Sequence, residues 1–347
     1  MSDKVSRGGN GDSKDAGELF EQAPIDHKPF LSPEELVASL KARGITFQLC
    51  SEEDAVAYLR ERNNYLRCAS YRVLFDRKPT AADGTPGPYV NLDFEHLRDL
   101  SSLDRQLREA FLGVCIDVEH FAKLYVLNRA QEEDEDGYAI VADYLDQLNY
   151  QRRRYVSRSL AVRSRGGRAH DDYRGDLIAH HLEDLSLWVF LEVVDFGTFV
   201  DLYKFCAKRW SDDTMVQEHY VLKSVKALRN ATAHNSCIIN GFTKKASRVE
   251  CPTNSLLLNS MNELGIRNTK SRRTKMGNRR IEQIASTLWA LRRFCTSEHA
   301  LERDAARLDA LRNRFDASCS LYQKTNGIAP YFNFLWKLID IWLPKRA

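Results

Sequence analysis

The sequence predicts an all-α protein, and three observations point to that class. No stretch alternates apolar and polar residues over the four to eight positions that a half-buried strand needs. Apolar residues recur instead at steps of three and four, most persistently at Leu97, Leu100, Leu103, Leu107, Phe111, Val114, Val118, Phe121 and Tyr125. Capping signals stand in front of several of these segments, so helix starts as well as helix faces are written locally.

In chain order, residues 1–26 are rich in Gly, Ser, Asp and Lys and read as a disordered tail, leaving 27–347 as one domain. Ser32-Pro33-Glu34-Glu35 is a helix start, with Ser32 as N-cap, Pro33 at the first helical position and Glu35 closing a capping box. Leu36, Val37 and Leu40 supply the apolar face of that helix, and Gly44 ends it. Ser51-Glu52-Glu53-Asp54 opens a second helix in the same way, and the aromatic-rich run that begins at Asn63-Asn64-Tyr65-Leu66 is a third. Three prolines and two glycines make 76–88 a loop. Asn91-Leu92-Asp93 caps the longest periodic segment, which runs to about Asn128. An acidic loop at 132–136 follows, then a helix near 138–149, then an arginine-rich polar segment containing Gly166-Gly167. Residues 177–208 read as two helices broken at Asp195-Phe196-Gly197-Thr198. Gln217–Ala233, 255–264, 280–295, 299–319 and 329–343 complete the set of expected helices.

A chain of 347 residues with 43% hydrophobic and 29% charged residues is that of a soluble globular protein with a substantial core. No run of about 18 apolar residues predicts a membrane span, and the first residues lack the apolar stretch of a secretory signal. The eight cysteines are scattered with no C-x-x-C pair, as expected of reduced thiols in the cytoplasm. A net charge of +3 implies no nucleic-acid partner by itself, but the charge is segregated. Residues 152–174 hold eight arginines, and 267–280 hold seven basic residues with no acid.

Several chemistries lack their residues. There is no Gly-rich phosphate loop, no G-x-S-x-G and no H-E-x-x-H. His180 and His181 point about 100° apart on a helix, and no ligand set completes a metal site around them. An arginine and a histidine separated by four to six residues is a weak pattern, met also by Arg163/His170, Arg165/His170, Arg174/His180 and Arg293/His299. Arg229/His234 differs in closing an amphipathic helix whose apolar face runs through Tyr220, Val221, Val225 and Leu228. Asn230 shares a side of that helix with His234, and Ala231 and Ala233 leave room for close approach. From these residues alone two readings stay open. In one, Arg229, Asn230 and His234 form a catalytic group; in the other, Arg229 pairs with a core carboxylate and His234 caps the helix end.

The order of segments adds to this. His27-Lys28-Pro29-Phe30-Leu31-Ser32, Asn63-Asn64-Tyr65-Leu66 with Ser70-Tyr71, Leu103-Asp104-Arg105-Gln106-Leu107-Arg108, the segment from Trp188 to Tyr203, Leu228 to Ser236, and Lys275-Met276-Gly277-Asn278-Arg279-Arg280-Ile281 occur in that order. In these motifs the chain resembles the Abi-like family of bacterial abortive-infection proteins (the AbiD/AbiF group) of the HEPN superfamily, over roughly 28–345. The resemblance implies a compact HEPN-type helical bundle elaborated with extra helices, and a metal-independent endoribonuclease needing no cofactor. It also implies a homodimer that brings two such motifs to one cleft, a place in phage defence or as a toxin, and a small non-coding RNA as inhibitor. On it, Arg229, Asn230 and His234 are the expected catalytic residues, and Glu119 the expected support for Arg229. Many relatives carry Cys-Ala-His-His where this chain has Thr232-Ala233-His234-Asn235. The basic residues Arg152, Arg153, Arg154, Arg272, Arg273, Lys275, Arg279 and Arg280 are expected to hold RNA, either substrate or inhibitor. Two alternatives are a HEPN protein that binds RNA without cutting it and a helical scaffold that senses a phage protein through the aromatic helix at 332–343.

Overall fold

The computed structural model describes residues 29–160, 173–181, 183–243, 253–323 and 327–343, and among them fifteen α-helices follow one another with no strand. Extended pairing is limited to isolated bridges, Thr46 with Asp93 and Arg77 with Tyr89. The capping chemistry sets the first two helices. In α1 (Pro33–Ala42) the Ser32 hydroxyl accepts from the Glu35 amide and the Glu35 carboxylate accepts from the Ser32 amide. In α2 (Glu52–Glu61) Ser51 accepts from the Asp54 amide at 3.0 Å. Gly44 leaves α1 at φ +82°, and a Cβ there would stand 2.5 Å from that of Pro88, so the position needs glycine twice over. Helix α3 (Tyr65–Ser70) starts on Asn64 and tightens into a 3₁₀ turn at Tyr71–Leu74.

Helix α4 (Phe94–Glu132) is the axis of the fold, 39 residues and about 58 Å long. After it come α5 (Ala139–Asp146), α6 (Tyr150–Leu160), α7 (Gly175–His181), α8 (Leu187–Val193), α9 (Phe196–Arg209) and α10 (Asp213–Ala233). The remaining helices are α11 (Ser255–Glu263), α12 (Lys270–Met276), α13 (Arg279–Phe294), α14 (Glu298–Ser318) and α15 (Ile328–Trp342). Helix α10 packs against α4, α9 and α13, while α14 lies along α4 and α15 against α13. Val221, Leu222, Val225 and Leu228 of α10 meet Leu107, Phe111, Val114 and Val118 of α4 and Ile284 and Leu288 of α13 in one connected core.

Four expectations change. Residues 177–208 form three helices, because the chain turns extended at Ser186 (ψ 159°) before α8 as well as at Asp195 before α9. Arg152, Arg153 and Arg154 sit on helix α6, and most of the polar segment after it lies outside the described residues. Helix α12 went unexpected because its seven residues, KSRRTKM, carry almost no apolar stripe; Met276 and the stem of Arg272 are what it buries. Tyr220 points outward and is 47% exposed, its place on the inner face taken by Leu222.

The aromatic helix α15 belongs to the interior. Phe332, Leu335 and Leu338 are fully buried and Trp342 donates from Nε1 to Ser260 Oγ at 3.0 Å, so this helix is no docking face. Cys50, Cys68, Cys115, Cys206 and Cys295 are buried free thiols, and burial pushes Cys68, Cys115 and Cys206 up to about 12, far from reactive. No helix among the described residues is long and apolar enough to cross a membrane.

Candidate functional site

Two buried carboxylates fix helix α10 before its end is reached. Glu218 accepts from Tyr203 on α9 at 2.5 Å and from Arg293 on α13 at 2.7 Å, and its negative charge reinforces the burial that raises the Tyr203 hydroxyl. Arg293, one of the rival arginines in the sequence, is thereby structural. Two turns on, the Ser224 hydroxyl donates to both oxygens of Glu282 at 2.9 and 3.1 Å, and Ser286 and Arg279 donate to the same carboxylate.

The C-terminus of α10 is a Schellman motif. His234 is the C-cap, Asn235 follows in the left-handed region at φ +56°, the Asn235 amide donates to Thr232 O, and the Ser236 amide to Ala231 O at 2.8 Å. Asparagine is among the residues that tolerate this conformation, which gives Asn235 a structural reason independent of chemistry. The Arg67 guanidinium of α3 grips the turn from outside, donating to Asn235 O at 2.7 Å and to Asn235 Oδ1 at 3.2 Å.

The chain leaving that turn is anchored by Asp104, fully buried on α4. Its carboxylate accepts from the Ile238 and Ile239 amides at 3.1 and 2.9 Å, from the Tyr71 hydroxyl at 2.7 Å and from Arg108 at 2.5 Å. A second anchor is Asn278, the N-cap of α13, which donates to Gly241 O at 2.7 Å and accepts from the Arg280 amide at 3.0 Å. A Cβ on Gly241 would meet the Arg280 side chain at 2.6 Å, so glycine here permits that approach. These anchors account for the Asp104–Arg108 and Gly277–Ile281 segments that stood out in the sequence.

On this frame Asn230 and His234 are exposed and share a face, while Arg229 is half-buried. Five helical steps set Arg229 and His234 about 140° apart around the axis. Arg229 turns towards α4, where its charge acts on Cys115, although burial dominates that thiol. It makes no ion pair with a described residue, and its Nε is buried without a hydrogen-bond partner among them. The pairing with Glu119 expected from the sequence does not form: Glu119 bonds Lys123 one turn along α4 at 3.0 Å. The core-carboxylate partner for Arg229 is likewise absent among the described residues.

The expected basic contacts divide. Arg272 is 3% exposed and donates inward to Asn262 Oδ1 and Ile266 O at 2.6 Å, so it holds α11 and α12 together and is no surface contact. Arg152 pairs with Asp201 at 2.5 Å, Arg153 with Asp146 at 3.3 Å and Arg279 with Glu282 at 3.2 Å. Arg154 is exposed with no ion pair to a described residue, and Arg273 is exposed with contacts only to Asn268. Lys275 lies over the Phe334 ring, and burial together with nearby Lys337 lowers its pKa. Arg280 lines a small cleft with Ser70, Val73 and Asn240.

Sequence reasoning missed a groove of about 580 Å³ beside the α10 turn, to which Arg62, Arg67, Arg105, Arg108, Thr232 and Asn235 contribute. Its only signal was the pair Arg105 and Arg108 on an otherwise apolar periodicity. Among the described residues no group of three or more His, Cys, Asp or Glu side chains is placed to hold a metal ion. His180 and His181 stand edge to face, 4.7 Å apart.

No curated protein and no solved structure matches the chain. The sequence model described as Abi-like protein matches residues 58–240, from α2 through the α10 turn to Asn240, and so covers α4, Asp104 and Arg229–His234 together. Matched over more than half of its length, including Arg229, Asn230 and His234, this chain belongs to the Abi-like protein family.

Proposed function

We propose that this chain is a metal-independent endoribonuclease of the HEPN type acting in abortive infection, the phage-defence role that its family suggests. One observation supports this best: at the end of a helix held by buried carboxylates, Arg229 has no ion-pair partner among the described residues while Asn230 and His234 face outward. Arg293, by contrast, spends its charge on the buried Glu218 carboxylate. The groove beside the turn, rich in arginine, gives an anionic polymer a way in.

RNA brings its own nucleophile. His234 takes the proton of the 2′-hydroxyl, the 2′-oxygen forms a bond to phosphorus, and the bond from phosphorus to the 5′-oxygen breaks. The departing 5′-oxygen receives a proton from a second histidine, leaving a 2′,3′-cyclic phosphate and a 5′-hydroxyl. Arg229 donates its two-pronged guanidinium to the phosphate oxygens as their charge grows, and Asn230 orients His234 or binds the same phosphate. In one chain the arginine and histidine point about 140° apart, so a second copy best supplies the missing partner on a shared phosphate. A homodimer is therefore part of the proposal, and a small RNA remains the proposed inhibitor.

The test uses purified protein and single-stranded RNA. Wild type degrades the RNA, and His234→Ala loses roughly 10²–10⁴-fold in rate, the contribution of one general acid or base. Full activity in His234→Ala would reject the catalytic assignment. RNA binding without cleavage in wild type would favour the non-catalytic reading.

A further inference from the structure

The groove that adjoins the α10 turn has a composition the fold does not require. Its walls bring together Arg62 at the end of α2, Arg67 on α3, and Arg105 and Arg108 on α4, against the single carboxylate Glu109. Arg108 is committed to buried Asp104. The others remain available at the surface: Arg62 is exposed with no ion pair to a described residue, and Arg105 bonds only Glu109, a surface pair at 2.8 Å worth little in water. Arg67 keeps its guanidinium on the Asn235 carbonyl and amide oxygen. The floor is neutral and polar, with Asn63 Nδ2 donating to Tyr58 Oη at 2.8 Å and to Ser101 Oγ at 2.6 Å.

Direction matters as much as charge. Along α4 the lining begins at Ser101 and ends at Leu112. Cys115, on which the Arg229 charge acts, lies one turn further on the same helix. The lining also includes Thr232 and Asn235, which flank His234 in the chain. The groove therefore adjoins the turn that carries His234.

We infer that this groove is the subsite for a single RNA strand flanking the cleaved phosphate, with Arg62 and Arg105 binding its phosphodiesters and Arg67 coupling that strand to the catalytic turn through Asn235. This rests on the nuclease reading for its position relative to the cut, but the binding is measurable without catalysis. A half-open groove of about 580 Å³ suits a single strand better than the broad face of a duplex. The Arg67–Asn235 contact makes it a positioning residue.

Binding of a fluorescent single-stranded oligoribonucleotide by the full chain carrying His234→Ala tests this across a range of salt concentrations. Adding Arg62→Gln and Arg105→Gln removes two phosphate contacts. The slope of log affinity against log salt should flatten by about 1.4, with binding roughly tenfold weaker near physiological salt. Lys208→Gln with Arg292→Gln, two exposed residues far along the chain, loses the same charge and should leave the slope unchanged. An unchanged slope in the groove variant, or an equal change in the control, overturns the inference, as does a duplex of the same sequence bound as tightly. If the groove variant behaves as expected while wild type never cleaves RNA, the nuclease reading fails and the groove stands. If wild type cleaves and the groove variant binds RNA like its parent, the groove fails alone.

Discussion

Asn235 shows how a residue can matter for shape where chemistry was the first suspicion. Its φ of +56° is open to glycine and tolerable for asparagine but costly for a β-branched side chain. Asn235→Gly should stay within about 1 kcal/mol of wild type in chemical denaturation, whereas Asn235→Val should lose on the order of 1–3 kcal/mol. Equal stability of the two would mean the turn is not held as described. Asp104 is the other residue on which the site's geometry hangs, since one carboxylate serves two amides, a tyrosine and an arginine. Asp104→Ala leaves Arg108 buried and unpaired, so unfolding should cost about 3–5 kcal/mol less than in wild type. A loss below about 1 kcal/mol would show that the anchor is not needed. At this scale the sequence made Arg229, Asn230 and His234 legible through their place at the end of an apolar stripe. It could not show that Glu119 prefers Lys123 or that Arg272 turns inward, because both depend on which neighbours tertiary packing brings within reach.

Helices legible in the sequence are those whose apolar residues keep step over several turns, and α4, α10, α13, α14 and α15 all do so. Helix α12 has no such stripe and is specified by its Thr269 cap and the packing around Arg272 and Met276. The contact of α14 with α4 holds a titrating carboxyl that periodicity cannot reveal. Asp304 is fully buried, bonded to Arg307 at 2.7 Å, and burial followed by the neighbouring Asp117 carboxylate pushes its pKa up to about 7. Between the ordinary carboxylate range and pH 7 the folded protein holds a proton that the unfolded chain gives up, so this group's contribution to stability is complete at low pH and lost as pH rises to 7. Thermal melts between pH 4 and 8 should show Asp304→Asn with a flatter decline over that window than wild type. Parallel profiles would contradict the assignment.

For the molecule as a whole, the family match ends at Asn240, yet α13 packs on α10 from beyond it and supplies Glu282 and Asn278, which hold the turn and the segment leaving it. The fold class was legible because helical periodicity is a local property. The groove was not, because Arg62, Arg67 and Arg105 meet only when α2, α3 and α4 pack together. Assembly was legible only through the family resemblance, which implies a homodimer. If Arg229 and His234 act on one phosphate only across two copies, sedimentation should show a dimer, and specific activity should fall as dilution dissociates it. Activity per chain that stays constant through dissociation would place the whole site in one copy.

In the proposed reaction RNA is cut by its own 2′-hydroxyl with His234 moving the proton. The ends left on a defined oligoribonucleotide after incubation in excess EDTA distinguish this chemistry from its alternatives. The proposal predicts 2′,3′-cyclic phosphate and 5′-hydroxyl ends, formed undiminished by the chelator and absent with His234→Ala. Ends bearing 3′-hydroxyl and 5′-phosphate, or loss of cleavage in EDTA, would contradict it.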